Sequence, residues 1–509
     1  MTKEKAFARL EAIDRQMVML QHINAVLSWD QELYATALES EERGRQIGYI
    51  ATEIHRLSCS TEMGDLLAIM DASDAAPSGC GKDAFERALV RLHYKTYTKE
   101  KALSEEFVQR FSAITTEGYM VWSKARKEND FAQFSPLLTE IVSLTKEKAI
   151  AYNKGSEKNL YDALLDNYEN GITSAEVTAL FDQIKPTLEH LVENLKDQRV
   201  DDNFLRLPYD QNKQEEFAKL VITDMGFDFS RGSRAISLHP FTSTLGNDDI
   251  RITTRYTDPS VMDSFYSSIH ECGHALYEQG ASFQRQKGTS IANGASYAMH
   301  ESQSRLWENI IGKSEAFWKH YYPVFKKIFP SQTQDISLDQ FLKAVNHVEP
   351  SYIRTNSDEV SYSLHIILRY ELEKKLVEGG LSVQDIPQAW NEESKKLLGL
   401  AIPNDQMGCL QDVHWASGDI GYFPTYALGN LYGAQIWDKL NQSMDSEALL
   451  EQGKLGVLAS WLNEQCYSKG MLYEPKELLQ QITGKTLDAS YYARYLENKY
   501  TCLYGGKNV

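Results

Sequence analysis

Two histidines and a glutamate stand close together in the pentapeptide HECGH, residues 270–274. If this segment is helical, His270 and His274 are four residues apart and project from the same face. Two imidazoles on one face can share a tetrahedral zinc ion, and a glutamate beside the first can take a proton from a metal-activated water. The spacing therefore predicts hydrolytic metal chemistry, with His270 and His274 as ligands and Glu271 as general base.

A catalytic zinc usually has a third protein ligand and keeps one position open. Glu301 is our choice, because the chain after His274 is long enough for a loop and a return onto a facing helix. Glu278 lies one turn beyond His274 on the same helix, where convergence on a shared metal is harder. Glu308 lies two turns beyond Glu301. His300 fits the spacing equally well, so the residues alone leave the third ligand open.

The segment around HECGH is expected to form the helix that this chemistry needs. Asp258, Pro259 and Ser260 offer a cap and a first-turn proline, and Gly280 offers a stop. Apolar residues recur at three- and four-residue spacing between residues 261 and 276, which predicts a buried face. Cys272 is interpreted as a small apolar member of that face.

A zinc hydrolase also needs a hydrogen-bond donor for the developing oxyanion, and Tyr or His can supply one. Three polar and aromatic residues in the loop-like segment 408–429 are candidates for this role: His414, Tyr422 and Tyr426. The alternative for this segment is a packed aromatic loop.

An enzyme that trims chain ends needs a group for the terminal carboxylate, which an arginine fork matches in geometry. Arg354, in the segment IRTNSDEVSY, and Arg251, in the segment DIRIT, are candidates for that group. The alternatives are a solvated helix start around residues 357–359 and ordinary salt bridging in a sheet around Arg251.

Composition narrows the class of protein. The 509 residues carry a formal net charge of −18, which argues against general binding to nucleic acid or to anionic lipid. No apolar run approaches the length of a membrane span, and the amphipathic N-terminus has no signal-peptide core. The six cysteines are scattered without a CxxC pair, so neither a zinc ribbon nor a disulfide framework is indicated, and a cytoplasmic location is expected.

Proline is scarce, with 13 in the chain, which permits long helices. Helical periodicity is predicted over residues 4–28, 81–99, 101–128 and 174–198, and a loop over 72–82. Residues 234–239 and 249–256 are predicted to form a short antiparallel ribbon, joined by turn residues 241–249. We expect one mainly α catalytic unit over residues 1–509, with a helical part at about 1–200 and an active-site part at about 230–430.

Six motifs in fixed order carry a resemblance to a known family: HPF (239–241), DIRIT (249–253), HECGH (270–274), HESQ (300–303), IRTNSD (353–358) and GCLQDVHW (408–415). Together they resemble the carboxypeptidase Taq family, the thermostable-carboxypeptidase-type HExxH metallocarboxypeptidases. The resemblance covers essentially the whole chain. Ser357 stands where the family usually has Ala, which is a conservative difference.

The resemblance implies a large two-lobed helical body with a deep central groove, a neurolysin-like zincin that forms a homodimer. It implies one zinc ion per chain, replaceable by cobalt, with His270, His274 and Glu301 as the metal ligands. Arg354 would hold the terminal carboxylate of the peptide. Two further sets of residues have a place at the reacting centre: His239, His414 and Tyr422 would line it, and Asp249, Arg251 and Thr253 would border it.

The expected activity is therefore a metal-dependent carboxypeptidase that releases single C-terminal residues from peptides, with Glu271 as general base. An oligopeptidase or aminopeptidase on the same HExxH scaffold is the alternative within enzymes. A non-catalytic helical binding protein with a structural metal site is the alternative from another class.

Overall fold

The computed structural model describes residues 1–36, 38–256 and 260–505, and within these ranges the chain is mainly helical with one small sheet. In chain order the α-helices are α1 (Lys3–Leu33), α2 (Ser40–Ser58), α3 (Thr61–Ile69), α4 (Ala84–Lys101), α5 (Glu105–Glu128), α6 (Phe131–Tyr152), α7 (Leu160–Leu165), α8 (Ser174–Leu195), α9 (Gln211–Asp224), α10 (Val261–Ala281), α11 (Tyr297–Arg305), α12 (Glu315–Ile328), α13 (Pro330–Thr333), α14 (Leu338–Val345), α15 (Glu359–Glu378), α16 (Ile386–Leu398), α17 (Pro424–Ser443), α18 (Ser446–Glu451), α19 (Leu455–Gln465), α20 (Pro475–Thr483) and α21 (Ser490–Tyr504). The strands are β1 (Arg234–Ile236), β2 (Thr242–Gly246) and β3 (Asp249–Thr254).

The four predicted helical stretches correspond to α1, α4, α5 and α8. Their starts are set by side-chain caps: Ser104 accepts a hydrogen bond from the backbone N–H of Phe107, and Thr173 forms a capping box with Glu176. The cap at Ser104 explains why α5 begins later than the predicted residue 101. Residues 72–82 form no helix or extended strand, as predicted, apart from an isolated bridge between Ser73 and Ala76.

The predicted antiparallel ribbon is wrong in its pairing. The sheet order is β1-β3-β2; β1 runs parallel to β3, with Arg234 opposite Ile252, and only β2 is antiparallel to it. The segment 241–249, predicted as a turn, itself supplies β2. Its β-branched residues Thr242 and Thr244 favour a strand, and the turn is confined to the polar residues after Gly246.

The chain folds into two compact units, each assembled from three segments. Unit 1 comprises Met1–Lys101, Asp201–Val345 and Ile436–Thr486, and unit 2 comprises Ala102–Val200, Asn346–Gln435 and Leu487–Val509. The expected division near residue 200 coincides with a segment boundary. The expected active-site part at 230–430 contains residues of both units, and its role as part of a single catalytic unit stays a prediction.

Helix α10 lies deep within unit 1 and is buried on nearly all sides. An aromatic cluster packs around its first half, with Phe265 from α10, Phe217 from α9, and Trp318 and Phe325 from α12. Large rings bury much apolar area and hold few conformations, so this packing fixes the axis of α10. The HECGH segment is thereby placed on a rigid element.

Helix α15 has the corresponding position in unit 2 and is likewise buried on nearly all sides. Tyr370 of α15 packs against Phe181 of α8 and Tyr161 of α7, with ring centroids 5.3 and 5.7 Å away. A helix buried all round normally carries apolar residues, so the ionisable residues of α15 need partners inside the unit. Within the described ranges, no helix combines the length and the hydropathy that a bilayer crossing requires.

Candidate active site

Helix α10 begins at a side-chain cap. Ser260 accepts a hydrogen bond from the backbone N–H of Met262 at 3.2 Å, while Asp258 and Pro259 lie outside the described residues. Gly280, predicted as the stop, lies inside the helix, which ends at Ala281. A Cβ at position 280 would collide with Tyr467, so packing against residue 467 accounts for this glycine.

Gly273, inside HECGH, allows a second helix to approach the first. A Cβ there would lie 2.8 Å from the Gln303 carbonyl oxygen and the Ser304 Cα of α11, closer than side chains tolerate. The glycine therefore lets the backbones of α10 and α11 touch, which brings Glu301 towards the histidines. Sequence reasoning missed this role, although a glycine within a predicted helix is a signal of close approach.

His270, His274 and Glu301 form a group in which one ligand atom from each lies within 4.8 Å of the others. The Oε2 atom of Glu301 is 3.6 Å from His270 Nε2 and 3.4 Å from His274 Nε2. Two nitrogens and one carboxylate oxygen around a common point are the donor set of a catalytic divalent metal centre. The residues present thus fit the metal that the sequence predicts.

The other ring nitrogen of each histidine is held by a hydrogen bond. His270 Nδ1 donates to Glu308 Oε2 at 2.8 Å, and His274 Nδ1 lies 2.6 Å from His300 Nδ1. His300 in turn donates from Nε2 to Glu278 Oε1 at 2.6 Å, so its Nδ1 accepts from His274. With Nδ1 held in this way, each histidine has its Nε2 towards Glu301, and as neutral rings both would offer the lone pair that a metal requires.

The alternative third ligands, Glu308, Glu278 and His300, lie away from the point that His270 and His274 share. Glu308 contacts His270 on the nitrogen opposite the one that faces Glu301. Glu278 is engaged by His300 and by the Thr244 hydroxyl, which donates to it at 3.1 Å. The geometry therefore brings Glu301, and none of these three residues, to the shared point.

Arg305 holds the Glu301 carboxylate in place. Its Nε donates to Glu301 Oε1 at 2.8 Å, and its Nη1 lies 3.4 Å from Glu308 Oε2. Burial acts to raise the pKa of Glu301, but Arg305 and the histidines outweigh it and hold that pKa well below its usual range. Sequence reasoning did not single out Arg305, whose only signal is its position one turn after Glu301.

Glu271 is 7% exposed and receives a hydrogen bond from the Thr242 hydroxyl at 2.7 Å. Strand β2, which supplies Thr242, thus fixes the carboxylate on α10. Burial raises the pKa of Glu271, which brings a carboxylate closer to the proton affinity that a general base needs.

The charges around the histidines favour a cation. Burial acts to lower the pKa of His270, but Glu301 and Glu308 outweigh it and raise the value to about 9. Burial lowers the pKa of His274 to about 3, so this imidazole is neutral and its Nε2 remains a lone-pair donor. The negative potential that favours an imidazolium at His270 favours a divalent cation equally.

The remaining candidates in unit 1 have other surroundings. His239 is exposed and does not belong to the ligand group. Arg251 binds Asp249 through Nε and Nη2 at 2.8 and 2.7 Å, and its guanidinium lies over the Trp29 ring. Thr253 is buried, and its hydroxyl oxygen accepts from the backbone N–H of Phe241 at 2.8 Å, which ties the HPF segment to the sheet.

Unit 2 contains a buried arginine cluster around Asp412. Arg354 donates from Nε and Nη2 to Asp412 Oδ1 at 3.1 and 3.0 Å, and Arg369 donates to Oδ2 at 2.7 Å. Two cations share one anion, so the cluster has one positive charge in excess. Burial acts to raise the pKa of Asp412, but the arginines outweigh it and lower that pKa.

Arg354 lies in a 3₁₀ turn, Arg354–Asn356, before α15, and its backbone N–H donates to the Gln411 side chain at 2.9 Å. Its Nη1 donates to the Tyr362 hydroxyl at 2.9 Å, and Tyr426 lies against the guanidinium. Sequence reasoning identified Arg354 but missed Arg369, because an arginine within a helix has no local pattern that marks it as buried.

His414, Tyr422 and Tyr426 come together in unit 2. The rings of His414 and Tyr422 are 5.4 Å apart, and His414 Nε2 lies 3.3 Å from the Tyr426 hydroxyl. Burial lowers the pKa of His414 to about 4, and the nearby arginines act in the same direction. A neutral His414 can serve as a hydrogen-bond donor without carrying a charge.

Glu373 of α15 is a further buried carboxylate that sequence reasoning missed. Its oxygens accept from the Tyr161 hydroxyl at 2.7 Å, the Trp415 indole at 2.8 Å and the Gly421 backbone at 3.0 Å. These bonds fasten the loop that carries His414 to α15. Burial raises the pKa of Glu373 to about 7.

The HExxH helix, the carboxylate from the facing helix and the buried general-base candidate define the class of a metal-dependent hydrolase. Comparison with known proteins then specifies the family. The family model for "Carboxypeptidase Taq (M32) metallopeptidase" matches residues 9–500. The chain belongs to this family.

Known carboxypeptidases and their solved structures match this chain over nearly its whole length. The chain is 36% identical to Carboxypeptidase 1 of Bacillus subtilis (strain 168) over 483 residues, 94% of this chain and 95% of the relative. It is also 36% identical to Thermostable carboxypeptidase 1 of Thermus thermophilus, over 99% of this chain and 100% of the relative. The crystal structure of an M32 carboxypeptidase from Deinococcus radiodurans R1 superposes with a TM-score of 0.92 at 35% identity, covering 99% and 100% of the two chains.

These matches confirm the predicted class. The protein is a metallocarboxypeptidase, a peptide-bond hydrolase that uses a divalent metal ion and acts on peptides. They favour this activity over the oligopeptidase, aminopeptidase and binding-protein alternatives.

Proposed function

We propose that the enzyme releases one residue at a time from the C-terminus of peptides, with one catalytic zinc ion per chain held by His270, His274 and Glu301. The convergence of these three ligand atoms, with Nδ1 of each histidine engaged by a neighbouring side chain, is the observation that carries the proposal. When bound there, zinc supplies a Lewis acid for the scissile carbonyl and lowers the pKa of water.

Glu271 is the proposed general base. Its buried carboxylate, oriented by Thr242, accepts a proton from the attacking water and returns it to the nitrogen of the leaving amino acid. The raised pKa supports this exchange, because a carboxylate that holds a proton more strongly can both take it and deliver it.

Arg354 is the proposed binding group for the terminal carboxylate of the peptide. A guanidinium has five N–H groups, and those of Arg354 donate three hydrogen bonds to Asp412 and Tyr362. One N–H group on each terminal nitrogen is left for a substrate. The excess positive charge of the cluster supports the binding of an anion. Arg251 has its fork occupied by Asp249, so we assign it, with Asp249 and Thr253, to the border of the centre.

Three side chains are proposed to line the reacting centre: His239, His414 and Tyr422. A neutral His414 and the Tyr422 hydroxyl both have the donor that an oxyanion requires. The two-lobed, neurolysin-like body is proposed from the family resemblance. The resemblance also motivates the proposals of a homodimer, of cobalt as a working substitute for zinc, and of a cytoplasmic location.

A peptide ladder tests the reaction. A blocked peptide with a free C-terminal acid, its C-terminal amide and a version with a free N-terminus would be followed by mass spectrometry, with chelator and then with zinc or cobalt restored. We expect single-residue losses from the C-terminal end of the acid, abolished by chelator and restored by metal. Internal cleavage, or loss from the N-terminus, would overturn the proposal.

Replacement of Arg354 tests its role. Arg354→Lys should raise KM for free-acid peptides far more than for C-terminal amides, because lysine cannot reproduce the fork. Arg251→Lys is the matched control and should change both KM values little. Equal effects of Arg354→Lys on acids and amides would reject the carboxylate role.

A further inference from the structure

A second group of potential metal ligands lies in unit 1 on the N-terminal helices. It consists of His55 and Cys59, at the end of α2, and Glu100, at the end of α4, with one ligand atom from each within 4.8 Å of the others. Glu100 Oε2 is 3.2 Å from His55 Nδ1, and Cys59 Sγ is 3.8 Å from the same nitrogen. Its only local signal is the spacing HRLSC, which differs from the CxxC pairs typical of zinc ribbons.

The geometry of this cluster favours a metal site over a nucleophilic Cys-His-acid triad. A Cys-His-acid relay needs the thiol and the carboxylate on different ring nitrogens, so that a proton can pass through the imidazole. Here sulfur and carboxylate both approach Nδ1 of His55. Three donors around one point are the arrangement of ligands around a cation.

The local charges also favour a cation. His55 and Cys59 lie at the C-terminal end of α2, and Glu100 lies in the last turn of α4. Helix C-termini carry partial negative charge, which favours cations nearby. Arg56, the cation nearest in sequence to His55, is bound by Glu53 at 2.8 Å, while Lys101 lies over the Tyr97 ring and within electrostatic reach of Cys59.

The donor types indicate which cation would bind. An imidazole nitrogen, a thiolate sulfur and a carboxylate oxygen suit zinc, whereas calcium and magnesium prefer oxygen alone. The side chains of His55 and Glu100 are 50% and 36% exposed, so water can complete the coordination.

We propose that His55, Cys59 and Glu100 bind a second zinc ion, which fastens the C-terminal end of α2 to that of α4. This ion is separate from the one proposed at HECGH, because the two groups of ligands share no residue, and only this one includes a sulfur. Cys272, the cysteine inside HECGH, is buried and absent from the ligand group of that motif.

Cobalt titration of the full-length, metal-depleted protein tests this site. Co²⁺ bound to a thiolate gives an intense near-ultraviolet charge-transfer band, which a His-His-Glu site does not give. We expect wild type to bind two metal ions per chain and to show the band. Cys59→Ser and His55→Asn should each bind one fewer ion, lose the band and retain peptidase activity.

Two further variants make the result decisive. Cys502→Ser removes an exposed cysteine outside the group and should keep both ions and the band. Glu301→Gln, which weakens the HECGH site, should keep the band while peptidase activity is lost, so the two proposals fail separately. Should Cys59→Ser fail to fold, His55→Asn and Glu100→Gln give the same readout. One ion per wild-type chain without the band, or a band that survives Cys59→Ser, would overturn the proposal.

Discussion

The two buried helices α10 and α15 differ in how the charges on and around them are compensated. On α10, the Nε2 atoms of two histidines and a Glu301 oxygen face one another, with Glu308 behind His270 and His300 behind His274. Around α15, Arg354 and Arg369 are already paired with Asp412. The α10 group requires an added cation to balance its donor atoms. The arginine cluster around α15 is balanced almost entirely by its own ion pairs and carries one positive charge in excess.

This difference has consequences for stability. Burial of a charge is costly unless it is paired, and removal of one partner leaves the other without compensation. The arginine cluster should therefore contribute to folding through its internal pairs, while the α10 group should contribute mainly through the ion that it binds. Substitutions that remove a single charge can separate these two cases.

The largest effect on stability is expected for Asp412→Asn. This change leaves two buried guanidinium groups without their shared anion, which should lower the free energy of unfolding by about 3–5 kcal/mol. Urea unfolding at pH 7 measures it.

Asp249→Asn is the matched control for that measurement. Its partner Arg251 has a side chain 32% exposed, and such pairs contribute only about 0–1 kcal/mol. A loss for Asp412→Asn no larger than for Asp249→Asn would contradict the description of the cluster as a buried, mutually dependent set.

A somewhat smaller effect is expected from the pH dependence of Glu373. Its pKa is raised to about 7 in the folded state, from an ordinary value near 4.5, so the folded protein binds its proton more strongly than the unfolded chain. The stability contributed by the neutral carboxyl is therefore full below about pH 4.5 and is lost as pH rises through about 7, at up to about 1.4 kcal/mol per pH unit.

Glu373→Gln should remove this slope. The amide does not titrate, so the difference in unfolding free energy between variant and wild type should shift in favour of the variant between pH 5 and pH 8. The variant also loses one acceptor for the Tyr161, Trp415 or Gly421 donors. This loss lowers its free energy of unfolding by the same amount at every pH, so it does not affect the pH dependence. Parallel curves for the two proteins would show that Glu373 does not titrate in this range.

In the α10 region, Glu308→Gln should weaken metal binding about 10- to 100-fold, because the amide no longer supports His270 Nδ1 with a negative charge. Glu278→Gln acts on His274 only through His300, so its effect should be smaller. Competition with a chelator measures both affinities. Equal effects, or a larger one for Glu278→Gln, would contradict the relay described for His274.

The grouping of His270 with His274 could be predicted from sequence because their spacing is local. His270 and His274 share a helical face by their separation alone, and the family resemblance indicated Glu301 among its neighbours. Arg305 and Gly273 could not be recognised, because their roles depend on how closely α11 packs against α10.

The fold and the arginine cluster show the same limit. Helical periodicity located α1, α4, α5 and α8, but strand pairing depends on contacts between segments, so the parallel partnership of β1 and β3 was missed. No sequence pattern within α15 distinguishes Arg369 or Glu373. Their roles depend on hydrogen bonds to the loop that carries Asp412 and Trp415, which is distant in sequence. Likewise, the role proposed for Cys59 depends on Glu100 from another helix.

The most direct test of the proposed mechanism is the turnover of Glu271→Gln measured together with its metal content. Thr242→Val, which removes only the hydrogen bond to Glu271, serves as a control and should reduce kcat less. We expect Glu271→Gln to keep its metal at HECGH, while kcat falls by roughly 10²- to 10⁴-fold, the usual contribution of a general base. Turnover close to wild type with the metal in place would contradict the proposed mechanism.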